Sequence, residues 1–100
     1  MERGGAVYIM TNVLKPVLYT GVTSNLIVRV QQHKSKFYPF SFTAKYNVTY
    51  LVYYHSFPSI EEAIAEEKRI KAGNRKQKCI LINSINPGWK DLWDEEVSKW

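Results

Sequence analysis

The residues able to do chemistry in this chain are few. On a helix at 100° per residue, Ile60, Ala63, Ile64 and Ile70 define an apolar face, and Glu67 falls in the middle of it, while Glu61, Glu62 and Glu66 point elsewhere. A carboxylate on a face that packs against a sheet must be paired, protonated or bound to a metal, because burying it bare is costly. Lys71, one turn further along the same face, offers an ion pair as the structural alternative. On an earlier helix Arg29 and His33 lie one turn apart beside the stripe of Leu26, Ile27 and Val30. They could converge on one anion, with Arg making bidentate contacts and His donating or transferring a proton; equally they could be two polar residues at a solvent edge. Tyr8 and Tyr19 stand on two neighbouring strand segments, where cross-strand packing is a sufficient explanation for them.

Other catalytic templates fail. His33 and His55 have no second ligand at zinc spacing, Cys-x-x-Cys is absent, and no Gly-rich phosphate loop precedes a helix. A Ser-His-Asp triad finds no nucleophile elbow, and paired-carboxylate acid–base work finds no second acid on a buried face. One acid, one Arg, one His and two Tyr remain.

The elements that must position them read as a small α/β (α+β) sandwich, a three-stranded antiparallel sheet flanked by helices. Strands are expected near 6–11, 17–22 and 48–56, and helices near 24–34, 59–73 and 75–83. Residues Thr11, Asn12 and Pro16 turn the first hairpin, Gly21 ends its second strand, and Thr23 or Ser24 caps the first helix. The unbroken run Val48 to His55 suits the middle of the sheet. Ser59 with Glu62 reads as a capping box and Gly73 as the stop of that helix. Residues 35–46 show no period and read as a surface loop. Trp89, Leu92 and Trp93 are expected to cover one edge of the core.

One hundred residues, 45% hydrophobic, 14% aromatic and 23% charged, describe one globular domain over 1–100, with its core at about 5–94. The apolar runs are far short of a membrane span and the N-terminus lacks a signal-peptide pattern, so a soluble, cytoplasmic protein without membrane association is expected. Cys79 sits in an apolar run and reads as a small hydrophobe. The net charge of +5 favours a polyanionic partner, weakly by itself.

The five chemical residues, in this order, resemble the GIY-YIG nuclease superfamily. There a strand bearing Gly-Ile-Tyr is followed by one bearing Tyr-Ile-Gly; here the pair reads Ala6-Val7-Tyr8 and Tyr19-Thr20-Gly21. Arg29, His33 and Glu67 match the family's later marks. The segments Phe42-Thr43-Ala44-Lys45-Tyr46 and Asn86-Pro87-Gly88-Trp89-Lys90-Asp91-Leu92 are similar to its small stand-alone branch, so that nearly the whole sequence is covered. Some members carry a Lys directly after the second glycine, where this chain has Val22.

The resemblance implies hydrolysis of DNA phosphodiester bonds at one divalent ion, Mg2+ or Mn2+, with Glu67 as its only protein ligand. Tyr8 would be the general base or would position the attacking water, with Tyr19 close by. Arg29 would stabilise phosphoryl charge, and His33 would assist Tyr8 or the leaving group. Without a second domain, branched or damaged DNA, or a protein partner supplying specificity, is a better fit than a DNA sequence. The competing class is a non-catalytic binder on the same scaffold, gripping a strand through Lys34, Lys36, Lys45, Arg75, Lys76 and Lys78 with loop aromatics between Phe37 and Phe42. A third is an interaction module using the Trp-rich tail.

Overall fold

The computed structural model describes residues 4–14 and 17–100; Pro16, expected in the hairpin turn, lies outside the described residues. Strand β1 (Gly5–Thr11) is buried along its whole length because it is paired on both sides. It runs antiparallel to β2 (Leu18–Thr23) and to β3 (Tyr50–Phe57), giving the order β2-β1-β3. The centre of the sheet is therefore β1, and the run at 48–55 is an edge strand. Val48 lies outside the strand, its N–H bonded to the Thr43 carbonyl at 2.8 Å.

The apolar character of β3 has another cause: the end of the chain covers its outer edge. Asp91 Oδ1 accepts the Leu51 N–H at 3.1 Å, and Asn86 Nδ2 donates to the Val52 carbonyl at 3.1 Å and to the Lys90 carbonyl at 2.8 Å. A register shift between Ile9 and Met10 makes Val52 the extra residue of β3, at the place where these side chains attach. Edge strands left bare invite pairing with other chains, and here the Asn-Pro-Gly-Trp-Lys-Asp turn occupies that edge.

Helix α1 (Leu26–Lys34) starts later than expected. Strand β2 continues through Gly21 to Thr23, so the cap falls on Asn25, whose side chain accepts the Val28 N–H at 3.2 Å. Residues 35–46 are more than a loop: Ser41 caps a single helical turn, α2 (Phe42–Lys45), that buries Thr43 and Ala44. One turn is too short to show a period.

Helix α3 (Ile60–Ala72) is capped by Ser59, which accepts the Glu62 N–H at 3.2 Å. The reciprocal capping box forms one helix later, between Asn74 and Gln77 of α4 (Arg75–Ile85), which outlasts its expected end at 83. The buried stripe of α3 is also rotated from the expected one. Ile64 is 36% exposed, whereas Glu66, expected to face away, is half-buried and paired with Arg69. The remaining stripe, Ile60, Ala63, Glu67 and Ile70, lies close over the sheet. A Cβ on Gly5 would come within 2.8 Å of both Ala63 Cβ and Ile60 Cδ1, so glycine sets that approach.

Alternation along the strands divides the core in two. One face carries Ala6, Tyr8 and Met10 with Leu26, Val30, Leu51, Leu92 and Val97, closed by α5 (Leu92–Glu95) and a 3-10 turn (Val97–Lys99). The other carries Val7, Ile9, Val52 and Tyr53 with Ile70 and Ile82. Trp93 packs partly buried against the first and Trp89 against the second, while Trp100 is 58% exposed. Among the described residues no helix is long and apolar enough to cross a membrane.

Candidate active site

Tyr8 is at the centre of the site, fixed by β1 and 1% exposed. Its cross-strand partner is Gly21, and the Tyr8 ring lies over it: a Cβ at Gly21 would stand 2.5 Å from Tyr8 Cζ and Oη. Glycine at this position is a space requirement, since its backbone is not left-handed. Tyr19, two residues earlier on β2, lies with its ring centroid 6.3 Å from that of Tyr8.

Helix α1 brings His33 and Arg29 to these rings. His33 is 4% exposed; its Nε2 lies 2.9 Å from the Tyr8 hydroxyl and its Nδ1 lies 2.8 Å from Thr43 Oγ1. Burial, and secondarily the Arg29 charge, push the His33 pKa down to about 4, so the ring is neutral at pH 7. A neutral imidazole has one donor and one acceptor nitrogen. Burial first, then the neighbouring Tyr19, pushes the Tyr8 phenol well above its ordinary pKa although the Arg29 guanidinium opposes this. The resting pair is thus a protonated phenol beside an uncharged imidazole. Arg29 is steadied by Gln32 Oε1 at 3.0 Å and by the Tyr38 ring, 5.7 Å away.

The structure brings Tyr8, Tyr19, Arg29 and His33 together on one face. Glu67 arrives differently, from α3 on the opposite face, and reaches Tyr8 by its charge, which is one of the influences raising the phenol. Its carboxylate is half-buried and paired with Lys71 at 2.9 Å, so the structural alternative for this residue is realised. Between the two groups, at the outer edge of β2, lies a recess of about 270 Å³ lined by Leu18, Tyr19, Thr20, Phe42, Lys71 and Lys78. Val22 pairs with Val7 in the strand register.

Among the described residues no three His, Cys, Asp or Glu side chains cluster to hold a metal. The donor set still fits a hard divalent ion that keeps most of its waters, to which the Glu67 carboxylate, now paired with Lys71 beside the recess, would offer one oxygen ligand. Lys71 would have to give way.

The basic residues expected to hold a strand do not act alike. Lys34 is half-buried, ion-paired with Asp91 and bonded to the Thr49 carbonyl at 2.8 Å, so its charge is neutralised inside the fold. Lys36 bonds to Asn47, Lys45 lies over Tyr46, and Lys78 donates to the Gly73 carbonyl at 2.8 Å. Lys76 and Arg75 are exposed on α4. Thr43, the partner of His33, was not among the expected residues. Its only signal was the Phe42–Tyr46 segment, whose single turn has no periodicity to expose a buried hydroxyl.

The fold and this cluster define a small α+β domain built around a phenol, imidazole and guanidinium group. The model of the GIY-YIG catalytic domain matches residues 4–79, and the chain belongs to this family of phosphodiester-hydrolysing nucleases, which act on nucleic acid and typically use a divalent metal. No curated protein and no solved structure matches it.

Proposed function

We propose that the protein is a divalent-metal-dependent endonuclease that hydrolyses DNA phosphodiester bonds and is directed by the structure of, or damage to, the DNA. The observation that carries this reading is the buried contact between Tyr8 and His33, with Arg29 facing the same hydroxyl. A buried polar network is costly to keep for packing alone. Held by Glu67, Mg2+ or Mn2+ would supply Lewis-acid polarisation of the phosphoryl oxygens.

The chain's own residues do the rest. Tyr8 accepts a hydrogen bond from the attacking water through its hydroxyl oxygen and orients it. As the water proton moves to Tyr8, the phenolic proton moves to His33 Nε2, and Thr43 accepts from Nδ1–H to hold that tautomer. An arriving phosphate raises the proton affinity of His33 by its negative charge. Arg29 neutralises the charge that builds on the phosphoryl oxygens. Tyr19 packs beside Tyr8 and His33 and excludes water. Lys45, Lys76 and Arg75 contact the strand away from the cut, and Lys78 contacts it beside the recess at β2.

Supercoiled, branched and single-stranded DNA incubated with the protein and Mn2+ tests this reading. Nicking that disappears with chelator and with Glu67→Gln supports it. Binding without nicking would sink it in favour of a non-catalytic binder, a reading that the Lys71-paired state of Glu67 favours. A Glu67→Gln protein that unfolds would assign Glu67 to the ion pair instead.

A further inference from the structure

We infer that the recess at the outer edge of β2 is a subsite for one unpaired nucleotide next to the scissile phosphate. This rests on the nuclease reading and deepens it by naming the substrate class. The recess has two kinds of wall. One is aromatic: the Phe42 ring stacks on Tyr19 with centroids 6.1 Å apart and planes at 28°, and Tyr46 meets it at a tilt of 51° with centroids 4.9 Å apart. Phe42 nonetheless remains 47% exposed, a large apolar ring held open toward the recess by its neighbours. The other wall is cationic, formed by Lys71 and Lys78. Lys78 donates to the neutral Gly73 carbonyl, a contact that leaves its charge uncompensated. Lys71 is tied to Glu67 and would turn toward the recess if Glu67 took another ligand.

A flat π surface beside ammonium groups is the chemistry that holds a nucleotide, with the base on the ring and the phosphate on the cations. The base must be unpaired. Within a duplex both faces of a base are already stacked, so only an unpaired base has a face free for the ring. Its place along the substrate follows from Tyr19, which belongs both to the recess and to the catalytic cluster, 6.3 Å from Tyr8 and 5.4 Å from His33 between ring centroids. Phe42 offers no hydrogen bond, so stacking on it discriminates by strandedness and not by base identity.

The test uses the unmodified protein in EDTA, which withholds the metal that cutting would need, and single-stranded oligonucleotides carrying 2-aminopurine at successive positions. Stacking on Phe42 predicts strong quenching, affinity at least tenfold above that for the same oligonucleotide annealed to its complement, and loss of quenching with roughly tenfold weaker binding in Phe42→Ala. Phe42→Trp should restore both, and Phe42→Leu, which keeps apolar volume and guards against a folding defect, should restore neither. Equal affinity for the duplex, or quenching indifferent to residue 42, overturns the subsite. Nicking by the unmodified protein is scored separately: nicking without dependence on Phe42 removes the subsite and leaves the nuclease, whereas stacking without nicking does the reverse.

Discussion

The Tyr8 hydroxyl and His33 Nε2 lie 2.9 Å apart in the interior, on a strand and a helix that the chain joins through the edge strand β2. The environment moves their proton affinities in opposite directions, the phenol up and the imidazole down, so that the pair rests uncharged and can pass one proton internally. Such a pair works only if the imidazole tautomer is fixed.

Thr43 fixes it through the 2.8 Å contact with Nδ1. Thr43→Val should lower kcat by roughly tenfold with little change in KM and should shift the acid limb of the pH–rate profile, while Thr43→Ser should restore both. Nitrogen chemical shifts of His33 report the tautomer directly. An unchanged profile in the valine variant would show that the hydroxyl only fills space.

The depressed His33 pKa also links folding to pH. In the unfolded chain the ring titrates at its ordinary 6.5, whereas the folded one stays neutral down to about 4. Between these values the unfolded state binds more protons. The contribution of this group to stability is therefore full above pH 6.5 and falls as pH drops toward 4. Urea midpoints across pH 4–7 should drop more steeply for the unmodified protein than for His33→Gln; parallel curves would mean that the ring titrates normally.

Gly21→Ala places a methyl group where the Tyr8 ring now passes. The ring must move, and its contact with His33 goes with it. Activity should fall at least tenfold, by rough analogy with other small displacements of reacting groups, while circular dichroism stays native. Full activity in this variant would show that Tyr8 can shift without cost.

Much of this site was legible in the sequence, for reasons that differ by residue. Glu67 stood out because a 3.6-residue period makes a carboxylate on an apolar face visible, and the ion pair with Lys71 was foreseeable from their spacing. Arg29 and His33 were visible as one turn of helix, but not the difference in burial that makes His33 the core of the cluster. The sheet order was not legible. An edge strand sealed by side chains from residues 86 and 91 is as apolar as a central one, and composition does not distinguish a backbone partner from a side-chain partner. Thr43 and the recess depend on a single helical turn and on packing between distant segments, neither of which leaves a period.

Asp91 deserves a direct stability test, since it accepts two backbone N–H groups, from Leu51 and Trp93, and pairs with half-buried Lys34. Asp91→Ala strands a strand donor and a lysine together and should cost about 2–4 kcal/mol. Thermal or urea unfolding measures it, and a loss below about 1 kcal/mol would show that water replaces the carboxylate at no great cost.

The seal on β3 bears on where the working unit ends. The span that matches the family model stops at residue 79, yet the groups that cover its sheet edge are contributed by Asn86 and Asp91. During synthesis β3 is complete well before these residues are made, and for that interval a long apolar strand waits with one side unclaimed. A fragment cut at the matched boundary would stay in that condition permanently, with self-association at β3 as its characteristic fate.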